Sequence, residues 1–158
     1  MSAPEAIGAF WATRTLLQIA EQSEENALPQ GFIKDFPDFA LRGFMIDAGR
    51  KFIPMSNLDE YVKLMAYYKM NTLQVHLNDN GFKQFFQEDF KKTYSAFRLE
   101  SETFPELTAQ DGFYTKQEFK DFQDRAEANY VTIIPEIDVP AHSLAFTQYM
   151  PEIGSDEY

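Results

Sequence analysis

Histidine occurs only twice in this 158-residue chain, and each copy lies near carboxylates. His76 opens the run His76-Leu77-Asn78-Asp79-Asn80, and His142 closes Glu136-Ile137-Asp138-Val139-Pro140-Ala141-His142. An Asp facing an imidazole fixes its tautomer and lets it tune a third group, which suits acid–base chemistry. A structural reading fits the same residues: Asp79 and Asn80 as loop or helix caps, His142 in a satisfied core contact. Arg42 opens Arg42-Gly43-Phe44-Met45-Ile46-Asp47. Its guanidinium fork could donate two parallel hydrogen bonds to adjacent hydroxyls, as a sugar offers them. A surface arginine at a strand start fits that position too. His76, Asp79, Glu136, Asp138 and His142 could present N and O ligands to a metal. Neither His-x-His nor His-Glu-x-x-His spacing is present, so no metal and no cofactor is expected. Ser143 lacks the Gly-x-Ser-x-Gly elbow of a nucleophile.

These groups need elements to position them. Ser2-Ala3-Pro4-Glu5 reads as a capping box for a first helix, with Ile7, Phe10, Trp11, Arg14 and Leu17 at helical spacing and a polar end over 21–26. Residues 27–40, punctuated by Pro29, Gly31 and Pro37, read as a connector. Residues 41–47 form a strand ending in Asp47. Ser56-Asn57 are expected to cap a second helix with an apolar stripe of Leu58, Tyr61, Val62, Met65 and Tyr68. Residues 72–77 form a second strand. The stretch 78–114 is too long for a plain connector, and its aromatic content implies that it packs, with a short helix or hairpin over 82–94. That aromatic run could also stack on a sugar ring. Thr115-Lys116-Gln117-Glu118 is a capping box with Tyr114 and Phe119 as a hydrophobic staple, and Phe119, Phe122 and Ala126 form the buried face of a third helix. Residues 131–138 form a third strand, stopped by Pro140. The tail from Met150 is acidic and has no recognisable element.

Strands alternating with helices imply an α/β fold with a parallel sheet. Asp47, His76 with Asp79, and Asp138 with His142 all fall at or just past a strand's C-terminal end, where β/α barrels place their catalytic groups. No Gly-rich phosphate loop follows the first strand. The chain is 44% hydrophobic and carries 14 basic against 25 acidic residues, a net charge of −11. That balance argues against nucleic acid and anionic membranes as partners. No apolar run approaches the ~18 residues of a membrane span. With no Cys, disulfides and thiolate chemistry are excluded.

The motifs together resemble glycoside hydrolase family 20, the β-N-acetylhexosaminidases. Arg42-Gly43-Phe44-Met45-Ile46-Asp47-Ala48-Gly49-Arg50 is similar to the family's first-strand motif. Lys69-Met70-Asn71 followed by His76-Leu77-Asn78-Asp79-Asn80 resembles the second-strand motif. Pro135-Glu136-Ile137-Asp138-Val139-Pro140-Ala141-His142-Ser143 resembles the third. Smaller similarities lie at Phe97-Arg98-Leu99-Glu100, Phe104-Pro105-Glu106-Leu107-Thr108 and Tyr114-Thr115. Gly8-Ala9-Phe10 and Thr15-Leu16-Leu17-Gln18 resemble the helix closing the family's preceding domain.

The resemblance implies a partial (β/α)8 TIM barrel, its first three strands and their helices, preceded by one helix. Residues 1–26 would be the terminal helix of a preceding domain, 27–40 a connector and 41–158 the N-terminal part of the catalytic domain. It implies retaining, substrate-assisted hydrolysis of terminal non-reducing N-acetylhexosamine from glycans, an exception to the two-carboxylate scheme. By resemblance Arg42 grips the sugar hydroxyls, and Asp79 and His142 support the general acid. Asp47, His76, Glu136 and Asp138 would stand behind them. The adjacent Asp-Glu catalytic pair is absent; Asp156-Glu157 lies in an acidic tail without the surrounding motif. Asn80-Gly81-Phe82 replaces an Asp-Gln-Gly-Trp run, and Ala141 replaces a glycine. The isolated chain is therefore expected to be inactive. It is also expected to self-associate through two open sheet edges. The resemblance implies a parent acting outside the cytoplasm, in the periplasm or beyond. Three other readings stay open: a non-catalytic glycan-binding module, a metal-dependent barrel hydrolase and a purely structural α/β module.

Overall fold

A computed structural model describes residues 2–23 and 28–154. Three strands, β1 (Gly43–Asp47), β2 (Thr72–His76) and β5 (Thr132–Glu136), form a parallel sheet in the order β1-β2-β5. The register aligns Asp47 with His76 and His76 with Glu136, so three polar side chains end the three strands at one level. Gly43 permits this pairing, since a Cβ there would lie 2.2 Å from the Thr72 carbonyl oxygen.

Side chains alternate across the sheet. Phe44, Ile46, Leu73, Val75 and Ile133 pack into the main core with two helices, α2 (Met55–Tyr67) and α3 (Lys116–Glu127). These supply Leu58, Val62 and Met65, and Phe119, Phe122 and Ala126, the stripes expected from their spacing. The opposite face carries Met45 and Ile134, 53% and 42% exposed, together with Gln74. Strand alternation puts Asp47, His76 and Glu136 on this open face.

Local signals fared unevenly. Thr115 and Glu118 form the expected reciprocal capping box at the start of α3, and Tyr114 and Phe119 lie with ring centroids 6.0 Å apart. The first helix, α1 (Ala6–Gln22), starts after Glu5 with no side-chain cap, so the expected box at 2–5 does not form. Instead α1 is held by contacts of Phe10 and Trp11 with Tyr130 and by Gln18 donating to the Tyr67 carbonyl. The expected cap at Ser56-Asn57 is also corrected. Pro54 is the N-cap, and both residues lie inside the first turn of α2. Part of the polar stretch 21–26 falls outside the described residues, as does Asp156-Glu157.

The 78–114 stretch is an excursion built on a hairpin. Strands β3 (Asn78–Asn80) and β4 (Ser95–Phe97) pair antiparallel, with a single 3-10 turn at Lys83–Phe86 between them. A short helix, α4 (Leu144–Tyr149), follows β5 where the sequence signalled none. Ala145 of α4 packs on Phe97 and Leu107 in a second small core. Among the described residues no helix is long and apolar enough to cross a membrane.

Candidate functional site

The end of β2 runs directly into β3, and this brings His76 and Asp79 onto one site. His76 is buried, and both of its ring nitrogens face carboxylates: Nε2 lies 2.7 Å from Asp79 Oδ2, and Nδ1 lies 2.9 Å from Glu136 Oε1. Asp79 is fully buried, and both of its oxygens are occupied. Oδ1 accepts from the Asn80 backbone N–H at 2.7 Å and from His142 Nδ1 at 2.9 Å; Oδ2 takes His76 and, at 2.9 Å, an Nη of Arg50. An ionised carboxylate can only accept, so His142 Nδ1 carries the proton and donates it to Asp79, and the Arg50 Nη that lies 3.4 Å from the same nitrogen is not its hydrogen-bond partner. Among the described residues nothing bonds to His142 Nε2, and the side chain is 40% exposed.

Burial opposes charge on His76, but the hydrogen bonds its ring donates to the Asp79 and Glu136 carboxylates, and their negative charge, outweigh it and hold the ring above the usual histidine range. Burial likewise pushes Asp79 up. The Asn80 N–H, the two imidazoles and Arg50 overcome that push and leave it below the usual carboxylate range. Glu136 is lowered chiefly by Gln74, which donates to its Oε2, and further by His76. The result is a hydrogen-bonded series, Glu136–His76–Asp79–His142, buried at its two middle members and ending in an open imidazole nitrogen.

The signs fix a pH dependence. The raised His76 value contributes stability that is complete below its unfolded value of about 6.5 and is lost as pH rises through the folded one. The lowered Asp79 and Glu136 values contribute stability above their unfolded values, lost as pH falls through the folded ones. The network therefore stabilises most between the ordinary carboxylate range and about pH 6.5. Thermal midpoints measured from about pH 5 to about pH 9 should fall toward the alkaline end, and His76→Gln should flatten that fall. Parallel curves for the two proteins would show that His76 is not the titrating group.

The guanidinium at this site is not the expected one. Arg42 precedes β1, five residues before Asp47, which places it about 16 Å away at the strand's other end. Its Nε donates to the Lys69 carbonyl at 2.7 Å, and Nη1 donates to the carbonyls of Phe39 at 2.7 Å and Ala40 at 3.1 Å. Arg42 thus fastens the connector to the bottom of the sheet. Arg50, from the same motif but past the strand's end, reaches the site. Its Nη1 lies 2.7 Å from Asp47 Oδ2, and its backbone N–H donates to Asp47 Oδ1 at 2.9 Å.

Two more residues of the quoted motifs, Arg98 and Asn78, have structural roles that their sequence context does not assign. Arg98 is wholly buried and donates to the carbonyls of Ala48 at 2.8 Å and Gly49 at 3.0 Å, while pairing with Asp111 and Tyr94. It ties the loop before Arg50 to the hairpin excursion. Gly49 allows the close approach, since a Cβ there would lie 2.8 to 2.9 Å from atoms of Asn78 and Asp79. Asn78, also wholly buried, bonds the loop that carries His142. Asp138 stands at the rim, its carboxylate 4.0 Å from His76 Nδ1, too far for a hydrogen bond.

Two overlapping groups, His76-Asp79-His142 and His76-Glu136-Asp138, bring possible ligand atoms within 4.8 Å of one another. A cation in the first group would have to displace Arg50 from Asp79, and a cation in either would have to break a hydrogen bond between His76 and a carboxylate. Beyond His142 opens a cleft of about 510 Å³ lined by Asn80, Phe90, Pro140, Ser143 and Leu144 among others. Phe82, from the aromatic run, is exposed near the guanidinium of Arg50, whose Cζ is 6.0 Å from its ring centroid.

Residues 39–158 match the model of the glycosyl hydrolase family 20 catalytic domain. The chain belongs to glycosyl hydrolase family 20. A beta-hexosaminidase of Akkermansia muciniphila is 36% identical over 147 residues, covering 92% of this chain and 30% of the relative. The crystal structure of a family relative, the beta-N-acetylhexosaminidase from Bacteroides fragilis, aligns with a TM-score of 0.77 at 28% identity, over 96% of this chain and 31% of that one. The family 20 exo-β-N-acetylglucosaminidase of Vibrio harveyi, solved in complex with N-acetylglucosamine, aligns with a TM-score of 0.72 at 28% identity, over 96% of this chain and 25% of that one. The chain thus spans less than a third of each of these family 20 proteins. The likeness runs through all three strand-end motifs, so the cluster at the top of the sheet belongs to the family 20 catalytic domain.

Proposed function

We propose that these residues are the N-terminal part of a (β/α)8 catalytic domain that removes terminal non-reducing N-acetylhexosamine from glycans with retention. Residues 1–26 would close a preceding domain and 27–40 would connect the two. The observation that carries the reading is the hydrogen-bonded series Glu136–His76–Asp79–His142, which ends in an imidazole nitrogen facing the open site. Such a series can tune a titratable partner placed at its open end, and a general acid is a partner of that kind. In the reaction proposed, the substrate's acetamido oxygen attacks the anomeric carbon while the acid protonates the leaving oxygen. Water then opens the oxazolinium intermediate, with the same residue acting as base. The acid and the carboxylate that steadies the acetamido group would come from chain outside these residues.

Within this reading the sugar-gripping role passes from Arg42 to Arg50, which stands at the site with Asp47 aligning it. The open sheet face with Met45 and Ile134, and the outer edges of β1 and β5, which no strand among the described residues pairs, support further strands completing a barrel. The test is an assay of the complete protein on aryl N-acetyl-β-glucosaminide and N-acetyl-β-galactosaminide, following the product anomer by NMR. Release of the β-anomer first is the expected result. N-acetylglucosamine binding without hydrolysis would overturn the reading in favour of a binding module. Loss of hydrolysis on adding a chelator would overturn it in favour of a metal hydrolase.

A further inference from the structure

Three hydrogen bonds from one buried side chain reach the loop after β5. Asn78 Nδ2 donates to the Asp138 carbonyl at 3.0 Å and to the His142 carbonyl at 2.8 Å, and Oδ1 accepts from the Asp138 N–H at 2.8 Å. Both ends of the 138–142 loop are thereby held by a single amide. Both N–H donors and the oxygen of that amide are engaged, and the residue is 0% exposed. We propose that Asn78 is a positioning residue for the reaction, one that sets the backbone of His142 and so aims its imidazole. The inference rests on the function proposed above.

The loop needs such a hold. His142 has φ of 55°, in the left-handed region that a residue with a Cβ enters reluctantly. The other side-chain bond to this loop's backbone, Ser143 Oγ to the Pro140 carbonyl, is local and ties it to nothing outside. The ring of His142 is held by Asp79 through Nδ1, and its carbonyl is held by Asn78. Those two partners are consecutive residues of β3. Ring and backbone of His142 are therefore referenced to one short strand, which β4 braces through the pairs Asn78↔Phe97 and Asp79↔Ala96. A shift of the loop would move Nε2 away from the acid without changing the Asp79 carboxylate. Misplacement on the order of 1 Å is enough to cost about a hundredfold in rate.

The experiment uses the complete protein and the variants Asn78→Ala, Asn78→Asp and Asn78→Ser. Asn78→Ala removes all three bonds. Asn78→Asp keeps the shape and the acceptor but sets an oxygen against two carbonyls. Asn78→Ser keeps a donor and an acceptor in a smaller side chain. For Asn78→Ala and Asn78→Asp, kcat is expected to fall about ten- to a hundredfold with KM changed less than about threefold. Asn78→Ser should recover part of that loss. A second readout needs no turnover: the Nδ1–H proton of His142 in ¹⁵N-histidine-labelled protein, assigned with His142→Gln. It should broaden or disappear in the Ala and Asp variants at temperatures where circular dichroism shows them folded. An unchanged His142 signal with kcat within twofold of wild type overturns the proposal. So does a fall in kcat matched by an equal loss of folded protein. If Asn78→Ala does not fold, the Ser and Asp variants decide by the same criteria. If the wild-type protein cleaves no hexosaminide, the functional reading fails, and the resonance still reports whether Asn78 holds His142.

Discussion

Asp79→Asn is expected to lower kcat for hexosaminide cleavage by about 10²- to 10⁴-fold, the range spanned by loss of positioned acid–base catalysis. The substitution preserves shape and removes one charge, so the loss would report electrostatics rather than a cavity. Asp79 accepts three hydrogen bonds, two on Oδ1 and one on Oδ2, and Oδ2 also pairs with the Arg50 guanidinium. An asparagine offers one oxygen and one NH₂ group. If its oxygen keeps the Asn80 N–H and His142, the NH₂ meets Arg50 and the imidazole of His76, which are donors themselves. If it flips, the NH₂ meets the Asn80 N–H and displaces His142. Either arrangement sets donor against donor at the buried Asp79 position, and breaking a buried pair from one side costs about 3–5 kcal/mol. Urea unfolding should therefore show a lower midpoint, and His76 should lose the partner that helps hold its proton. Single-turnover kinetics of the folded variant separates the two effects. A variant with kcat within about tenfold of wild type would remove Asp79 from the proton series.

The parts of the fold legible in the sequence were those fixed by local chemistry. The capping box at Thr115 and Glu118 needs only residues three apart, and it formed. The stripes of α2 and α3 needed only a period, and they face the core. What was not legible depends on groups distant in the chain. Arg98 stands in the similarity Phe97-Arg98-Leu99-Glu100 with no role attached, and residue type alone places an arginine at the surface. It is buried because three backbone carbonyls and Asp111 converge on it from the ends of two loops. Asn78 showed the same blindness: its three bonds go to a loop 60 or more residues away. The cap expected at Ser56-Asn57 lost to Pro54, whose ring already sets φ at −55° at the entry to α2. Asp47, His76, Asp79, Glu136 and His142 were legible as a group because strand ends and loop starts share one edge of a parallel sheet. The same rule, applied strictly to direction, would have set Arg42 aside, since it begins a strand and Arg50 follows its end.

That choice between two arginines of one motif makes the second large expected effect. Arg50→Ala should lower kcat/KM by about 10²- to 10⁴-fold, because two charge-assisted hydrogen bonds to sugar hydroxyls are worth about 1.5–3 kcal/mol each. The loss should appear in KM as well as in kcat, since the guanidinium would grip the substrate before and during reaction. Arg50→Lys restores a positive charge near Asp79 but not the fork, and should recover stability more than affinity. Arg42→Ala should behave in the opposite way. Its guanidinium meets the backbone carbonyls of Phe39, Ala40 and Lys69 and lies 6.0 Å from the Trp11 ring centroid, all away from the site, so kcat/KM should stay within about threefold while stability drops by about 1–2 kcal/mol. Asp47→Asn then tests the arrangement behind Arg50. With the neutral partner, Arg50 keeps Asp79 but loses the contact that turns it along the top of β1. Affinity should fall less than in Arg50→Ala. The reverse pattern, with Arg42→Ala crippling KM and Arg50→Ala sparing it, would mean that the substrate reaches the N-terminal end of β1, and the site would have to be rebuilt around the other end of the sheet.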